Sequence, residues 1–199
     1  MIPSILHKWN SKKELLKTKT LQHTVFYNGY FMDYWGVPGV QSYLGRTPVP
    51  MWLDMVHNAA ARPGSGDVPG VFTHTTDVGR FVAASLDMEE WPQETFVYGD
   101  KLTWNQFLRL AEEAKGTEFT VADDSVEKLR LGQTTELPSQ VPLYQYIPKS
   151  LVQGLTSVFG LWLEQGEFDL KPEKFLNETF PDIKPMTMKE MLDKAWAAE

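Results

Sequence analysis

Strand-like and helix-like segments alternate along this chain, and that alternation limits the fold more than any other feature. His23 to Tyr27 (HTVFY) is β-branched and aromatic and is closed by Asn28-Gly29, which predicts a strand ending in a turn. Val78, Phe81, Val82, Ser85 and Leu86 recur at helical spacing behind Thr76 or Asp77 as the cap. Thr95 to Tyr98 and Phe119 to Ala122 read as further strands, with Gly99-Asp100 as a turn. Thr103 with Gln106 forms a capping box, and Gly116 stands where that helix should stop. Thr187 with Glu190 opens a terminal helix in the same way. Residues 32–50, rich in Gly, Pro and aromatics, read as an irregular loop wall. The alternation is the signature of the α/β class. Doubly wound sheets usually begin with a strand and a glycine-rich turn, whereas here an amphipathic helix over residues 4–19 comes first.

The glycine-rich run Gly64-Ser65-Gly66-Asp67-Val68-Pro69-Gly70 is one residue too long for a dinucleotide fingerprint, and a strand follows it instead of a helix. It is expected to be a surface turn between strands that touches no phosphate. The P-loop pattern and the G-x-S-x-G elbow are absent from the sequence. Zero cysteines exclude disulfides, thiolate zinc sites and cysteine nucleophiles. The four histidines show no metal-binding spacing, so no metal is expected; His74 is either a hydrogen-bonded structural residue or faces a cleft. With 19 basic and 26 acidic residues the net charge is −7, which argues against direct nucleic-acid binding. No apolar run approaches the ~18 residues of a membrane span, and the start lacks a signal-peptide pattern, so a cytoplasmic protein with no membrane contact is expected. Lys8, Lys12 and Lys13 lie within six residues on the first helix. On one reading they form a solvated face. On the other, an ammonium points into a cleft and holds a ribose or a substrate oxygen. Lys8 and Lys12 share a helix face, and Lys13 points about 100° away. Of the aromatics Tyr27, Tyr30, Phe31, Tyr34 and Trp35, packing is the commoner use and stacking on a flat ligand ring the other.

The run from Thr24 to Tyr34 (TVFYNGYFMDY) resembles the strand-to-loop segment of NmrA-like proteins, which include the isoflavone-reductase-like atypical short-chain dehydrogenases. Asn10-Ser11-Lys12 is similar to that family's catalytic-lysine segment. Phe72 to Val82 looks like its Asp-containing helix start, and Gly99 to Asn105 like its G-x-x-x-[ST]-x-N turn. The version here looks fungal.

The resemblance implies an α/β, partial Rossmann-like fold. Residues 1–199 would be the C-terminal part of a single NAD(P)-binding domain, including its smaller substrate subdomain and lacking the N-terminal βαβ units. The implied function is an NAD(P)H-dependent oxidoreductase acting on a small aromatic, enone or quinone-like substrate. The alternatives are a non-catalytic NAD(P)-sensing regulator with a protein partner, or a truncated product without activity of its own. By the same resemblance Lys12, with Lys8 as its rival, would hold the nicotinamide ribose or relay a proton. Asn28, Gly29 and Phe31 would line the nicotinamide end, with Gly29 allowing close backbone approach and Phe31 covering the ring. The cofactor would be NADP or NAD.

Overall fold

The computed structural model describes residues 3–44 and 50–197. Helix α1 (Pro3–Leu15) precedes strands β1 (Val25–Tyr27) and β2 (Tyr30–Phe31), helix α2 (Asp33–Gly36), and strands β3 (Leu53–Asp54), β4 (Ala59–Pro63) and β5 (Pro69–Thr73). Helix α3 (Thr75–Ser85) follows, then β6 (Glu94–Phe96), β7 (Asp100–Thr103), α4 (Trp104–Lys115), β8 (Thr120–Asp124) and α5 (Val126–Arg130). A 3₁₀ segment (Pro138–Gln145) leads into α6 (Lys149–Glu164), α7 (Leu176–Thr179) and α8 (Met188–Trp196).

Three strand pairs are parallel: β1 with β6, β2 with β5, and β4 with β8. Strands β3 and β7 add antiparallel partners to β4 and β5. Parallel neighbours cannot be joined by hairpins, and helices intervene in sequence: α2 between β2 and β5, and α3 and α4 between β4 and β8. The larger core gathers Trp35, Trp52, Phe72 and Phe107, with Trp35 edge-on to Phe107 at 4.7 Å between ring centres. Helix α4 feeds it through Trp104, Phe107, Ala111 and Ala114, a single stripe on one face. Helix α8 closes over α4 with Met188, Met191 and Leu192. A smaller core under α3 holds Phe81, Val97 and Leu176.

Both capping boxes form as the sequence predicts: Gln106 N–H donates to Thr103 Oγ1 at 3.1 Å, and Glu190 N–H to Thr187 Oγ1 at 3.2 Å. Gly116 ends α4 in the left-handed region at φ +61°. The turn over residues 64–68 joins β4 to β5, and its Ser65 main-chain N–H and hydroxyl both donate to Glu164 at 2.9 Å. The Glu164 carboxylate thus takes up both Ser65 donors of the turn.

Four readings need correction. Helix α1 stops at Leu15 and does not reach residue 19. Neither Thr76 nor Asp77 caps α3; His74 does, its Nδ1 accepting from the Thr76 N–H at 3.2 Å. Asp77 turns inward to accept from the Met186 N–H at 2.8 Å, so tertiary contact overrides its local capping option. Residues Asp100–Thr103 form strand β7 against β5, so only Gly99 is left to the turn. The loop wall begins as core and as helix α2: Met32 and Trp35 are fully buried, and Trp35 packs against Trp52, Phe72 and Phe107. The described residues of the stretch from Val37 onward are half-buried or exposed. Residues 45–49 of that stretch lie outside the described residues.

Gly29 has φ +66°, and a Cβ there would collide with the Val71 main-chain carbonyl. Gly29→Ala should therefore cost about 2–4 kcal/mol, a fall in Tm of roughly 5–15 °C by calorimetry. Gly79, inside α3 with open space beside it, gives the opposite sign. Gly79→Ala should stabilise by about 0.5–1 kcal/mol.

Candidate active site

Strands alternate their side chains between two faces, so Val25 and Tyr27 of β1 point the same way. The parallel register sets Val25 opposite Glu94 and Tyr27 opposite Phe96, which brings all four to one face. Helix α1 lies over that face. From it Lys12 reaches down, its Nζ donating to the Tyr27 hydroxyl at 2.7 Å and to Glu94 Oε1 at 2.5 Å. The Tyr27 hydroxyl donates to the same carboxylate oxygen at 3.0 Å. Tyr27 is itself held by stacking on Phe96, with ring centres 4.9 Å apart and planes within 13°.

Lys12 and Tyr27 edge a cleft of about 320 Å³ whose walls come from α1, β1 and the segment after α6, with Glu94 just behind them. Lys8, Trp9 and Lys12 form one wall, Tyr27, Asn28 and Gly29 the floor, and Glu167, Phe168 and Leu170 the far side. Four of the five residues singled out by resemblance, namely Lys8, Lys12, Asn28 and Gly29, thus meet in one place. Phe31 does not join them; it pairs with Thr73 in β2 and lies off the cleft wall. Lys13 is also off the wall, its ammonium 5.3 Å from the centre of the Trp9 ring. Gly29 serves packing: its missing side chain is what lets β5 approach. Asn28 is fixed at its carbonyl, which accepts from Thr73 Oγ1 at 2.7 Å.

Of the aromatic cluster, Tyr27 alone faces the cleft. Tyr30 is buried, stacked on Phe168 and donating to the Phe159 carbonyl at 2.9 Å. His74 is a buried cap 3.5 Å from Asp33 that also borders a second cleft, of about 420 Å³, so both of its readings find support. Glu94 was not legible as a site residue: it reaches Lys12 from 82 positions away and carries no local motif.

Electrostatically the trio is mutual. Glu94, and after it Tyr27, holds the Lys12 ammonium above the ordinary lysine range. Lys12, and after it Tyr27, holds the Glu94 carboxyl below the ordinary glutamate range. Lys12 is therefore a cationic hydrogen-bond donor at neutral pH. Among the described residues no cluster of His, Asp and Glu is arranged to hold a metal, and no helix is long and apolar enough to cross a membrane.

The parallel pairs and the helices between them define a partial Rossmann-like α/β fold. Comparison with known proteins places it more closely. Isoflavone reductase superimposes with a TM-score of 0.67 at 17% identity, over 98% of this chain and 60% of that one. AtPrR2 with NADP+ and (+)pinoresinol gives 0.67 at 18% identity, over 97% and 58%. Oxidoreductase BOA1 of Botryotinia fuckeliana is 33% identical over 186 residues, 92% of this chain. The chain spans 57% of that relative's length. No family model matches the sequence. In fold the chain resembles isoflavone reductase over the part it spans, and in sequence it is similar to a fungal oxidoreductase.

The pair of Lys12 and Glu94 adds stability over a defined pH window. Its contribution is complete above about pH 4.3, the unfolded glutamate value, and is lost as acid titrates Glu94 through its depressed value. It is complete below about pH 10.4, the unfolded lysine value, and is lost as pH rises through the raised Lys12 value. Both side chains are partly exposed, at 22% and 43%. Glu94→Gln should accordingly cost under about 1 kcal/mol at pH 7. The gap to wild type should narrow in urea titrations as pH falls below about 4.3 and close only below the depressed Glu94 value, where both proteins lack the charge.

Proposed function

We propose that this chain is the substrate-side part of an NAD(P)H-dependent oxidoreductase that acts on a small aromatic, enone or quinone-like molecule. The observation that carries the reading is the convergence of Lys12, Lys8, Asn28 and the Tyr27 ring on one cleft at the end of a parallel strand. Ligands of open α/β sheets bind in the crevice beyond such strand ends. The relatives are named oxidoreductases, and AtPrR2 was solved with NADP+.

The lining suits the ring end of a dinucleotide. It offers aromatic faces for a flat ring, an amide, and ammonium groups for ribose hydroxyls. When bound, the nicotinamide supplies the hydride. Asn28 and the Tyr27 ring would border it, and Lys8 or Lys12 would hold its ribose. Lys12, kept protonated by Glu94, donates a hydrogen bond to a substrate oxygen and stabilises negative charge there. Trp9 and Phe168 on the walls exclude water from that oxygen.

A second reading draws on the same trio. Lys12 is already paired with Glu94, as it would be in a protein that binds the dinucleotide without turnover and responds through a protein partner. Mutation separates the two. In a full-length protein carrying this segment, Lys12→Ala should lower turnover of an enone or quinone about 10²-fold or more. Lys13→Ala, off the cleft, should be nearly silent, and Lys8→Ala should fall between. Full turnover in all three variants favours the sensor.

Cofactor affinity gives a further check. The turn over residues 64–68 carries a carboxylate where a pyrophosphate cradle would need main-chain N–H groups. Residues 1–199 alone should bind NADPH more weakly than micromolar by calorimetry; micromolar binding would show a phosphate site elsewhere on this chain.

A further inference from the structure

An ammonium group has three N–H bonds. Lys12 directs one to Tyr27 at 2.7 Å and one to Glu94 at 2.5 Å, which leaves one for the cleft it lines. Because Tyr27 also donates to Glu94, the three side chains close a ring in which the carboxylate is the common acceptor. The ring draws on three separate elements, α1, β1 and β6, so Nζ, carried by α1, is held by one partner on each of two strands. Lys8, one turn earlier on the same wall, has no ion pair among the described residues. Holding a flexible four-carbon side chain at one point costs rotamer entropy, and an isolated surface pair rarely repays it. A second acceptor that is itself held by stacking changes that balance.

We propose that Glu94 is a positioning residue: with Tyr27 it fixes the Lys12 ammonium at the end of β1, so that its third N–H meets a substrate oxygen on which negative charge develops. This rests on the reductase reading of the cleft. The substrate class it favours carries a carbonyl or quinone oxygen, since such an oxygen gains charge and a hydrogen-bond donor aimed at it gains strength in step. A lysine free to swing would bind the oxygen equally well before and after that change. A fixed one favours the charged state, which is the condition for lowering a barrier.

The test begins with the 199-residue chain and needs no cofactor. Amine labelling followed by peptide mass mapping across pH 7–11 gives the titration midpoint of each lysine, with Lys13 as the internal reference. Glu94→Gln should lower the Lys12 midpoint and speed its labelling at pH 8 roughly three- to tenfold. Glu94→Asp should restore most of the wild-type midpoint, Tyr27→Phe should lower it by a smaller amount, and Lys13 should not move. A Lys12 midpoint unchanged in Glu94→Gln overturns the proposal. Should Glu94→Gln lose its circular dichroism signature, an unchanged midpoint in Tyr27→Phe overturns it equally.

In the full-length protein Glu94→Gln should reduce kcat about tenfold with KM nearly constant, and should move the alkaline limb of the pH profile to lower pH. Retention of the wild-type kcat and profile overturns the proposal. A shifted Lys12 midpoint with full turnover in Lys12→Ala defeats the reductase reading instead. An unshifted midpoint with turnover lost in Lys12→Ala defeats the positioning role alone.

Discussion

Parallel pairing of β1 with β6 is the contact on which the cleft depends. Each strand has three residues, so register decides which groups meet. A slip of one residue in either strand would put Tyr27 and Glu94 on opposite faces and leave Lys12 without one of its two partners. Several bonds hold the register. The Val25 N–H donates to the Gln93 carbonyl and the Val97 N–H to the Tyr27 carbonyl, both at 3.0 Å. On the opposite face the hydroxyls of Thr24 and Thr95 meet at 2.6 Å. That second face, through Phe26, packs on the small core beneath α3. The strand pair is thus a middle layer, with an apolar core on one side and a polar trio on the other, and Tyr27 serves both the stacking and the chemistry of the trio.

What the sequence made legible follows how local each signal is. The two capping boxes are readable because donor and acceptor stand three residues apart, and nothing distant competes for them. The face shared by Lys8 and Lys12 is readable for the same reason. The cap of α3 was missed because Thr76 and Asp77 are the better local candidates. The outcome was settled by Asp33 and Met186, 42 and 109 residues from their partners Thr75 and Asp77. Met32 and Trp35 were misread because Gly and Pro around them mark a turn, while their burial comes from Trp52, Phe72 and Phe107. Glu94 shows the limit most plainly. A charged residue opening a short strand looks like an exposed edge position, and its role exists only once β6 lies beside β1.

Short strands leave many main-chain N–H groups without ladder partners, and buried carboxylates take them up. Asp33 accepts from the Thr75 N–H at 2.9 Å, Asp77 from Met186 at 2.8 Å and Asp124 from Thr135 at 3.0 Å. Asp54 accepts from the Ser139 N–H at 2.7 Å and from the Val56 and His57 N–H groups, so the 3₁₀ segment is tied to β3. Burial pushes the Asp54 carboxyl up, but the bonds from Ser139 and His57 outweigh it and hold the group below the usual aspartate range.

These four side chains are almost wholly buried, so part of the acidic excess is internal bracing and not a surface property. The net charge of −7 therefore overstates how acidic a face the molecule offers to a partner. Glu94 departs from this pattern on both counts. It is well exposed, and the hydrogen bonds it accepts come from the side chains of Lys12 and Tyr27. The four aspartates accept main-chain N–H groups besides side-chain donors, whereas the hydrogen bonds that Glu94 accepts among the described residues come from side chains alone. Its partners are an ammonium and a phenol that both line the cleft, so the bonds it accepts tie two cleft side chains to β6.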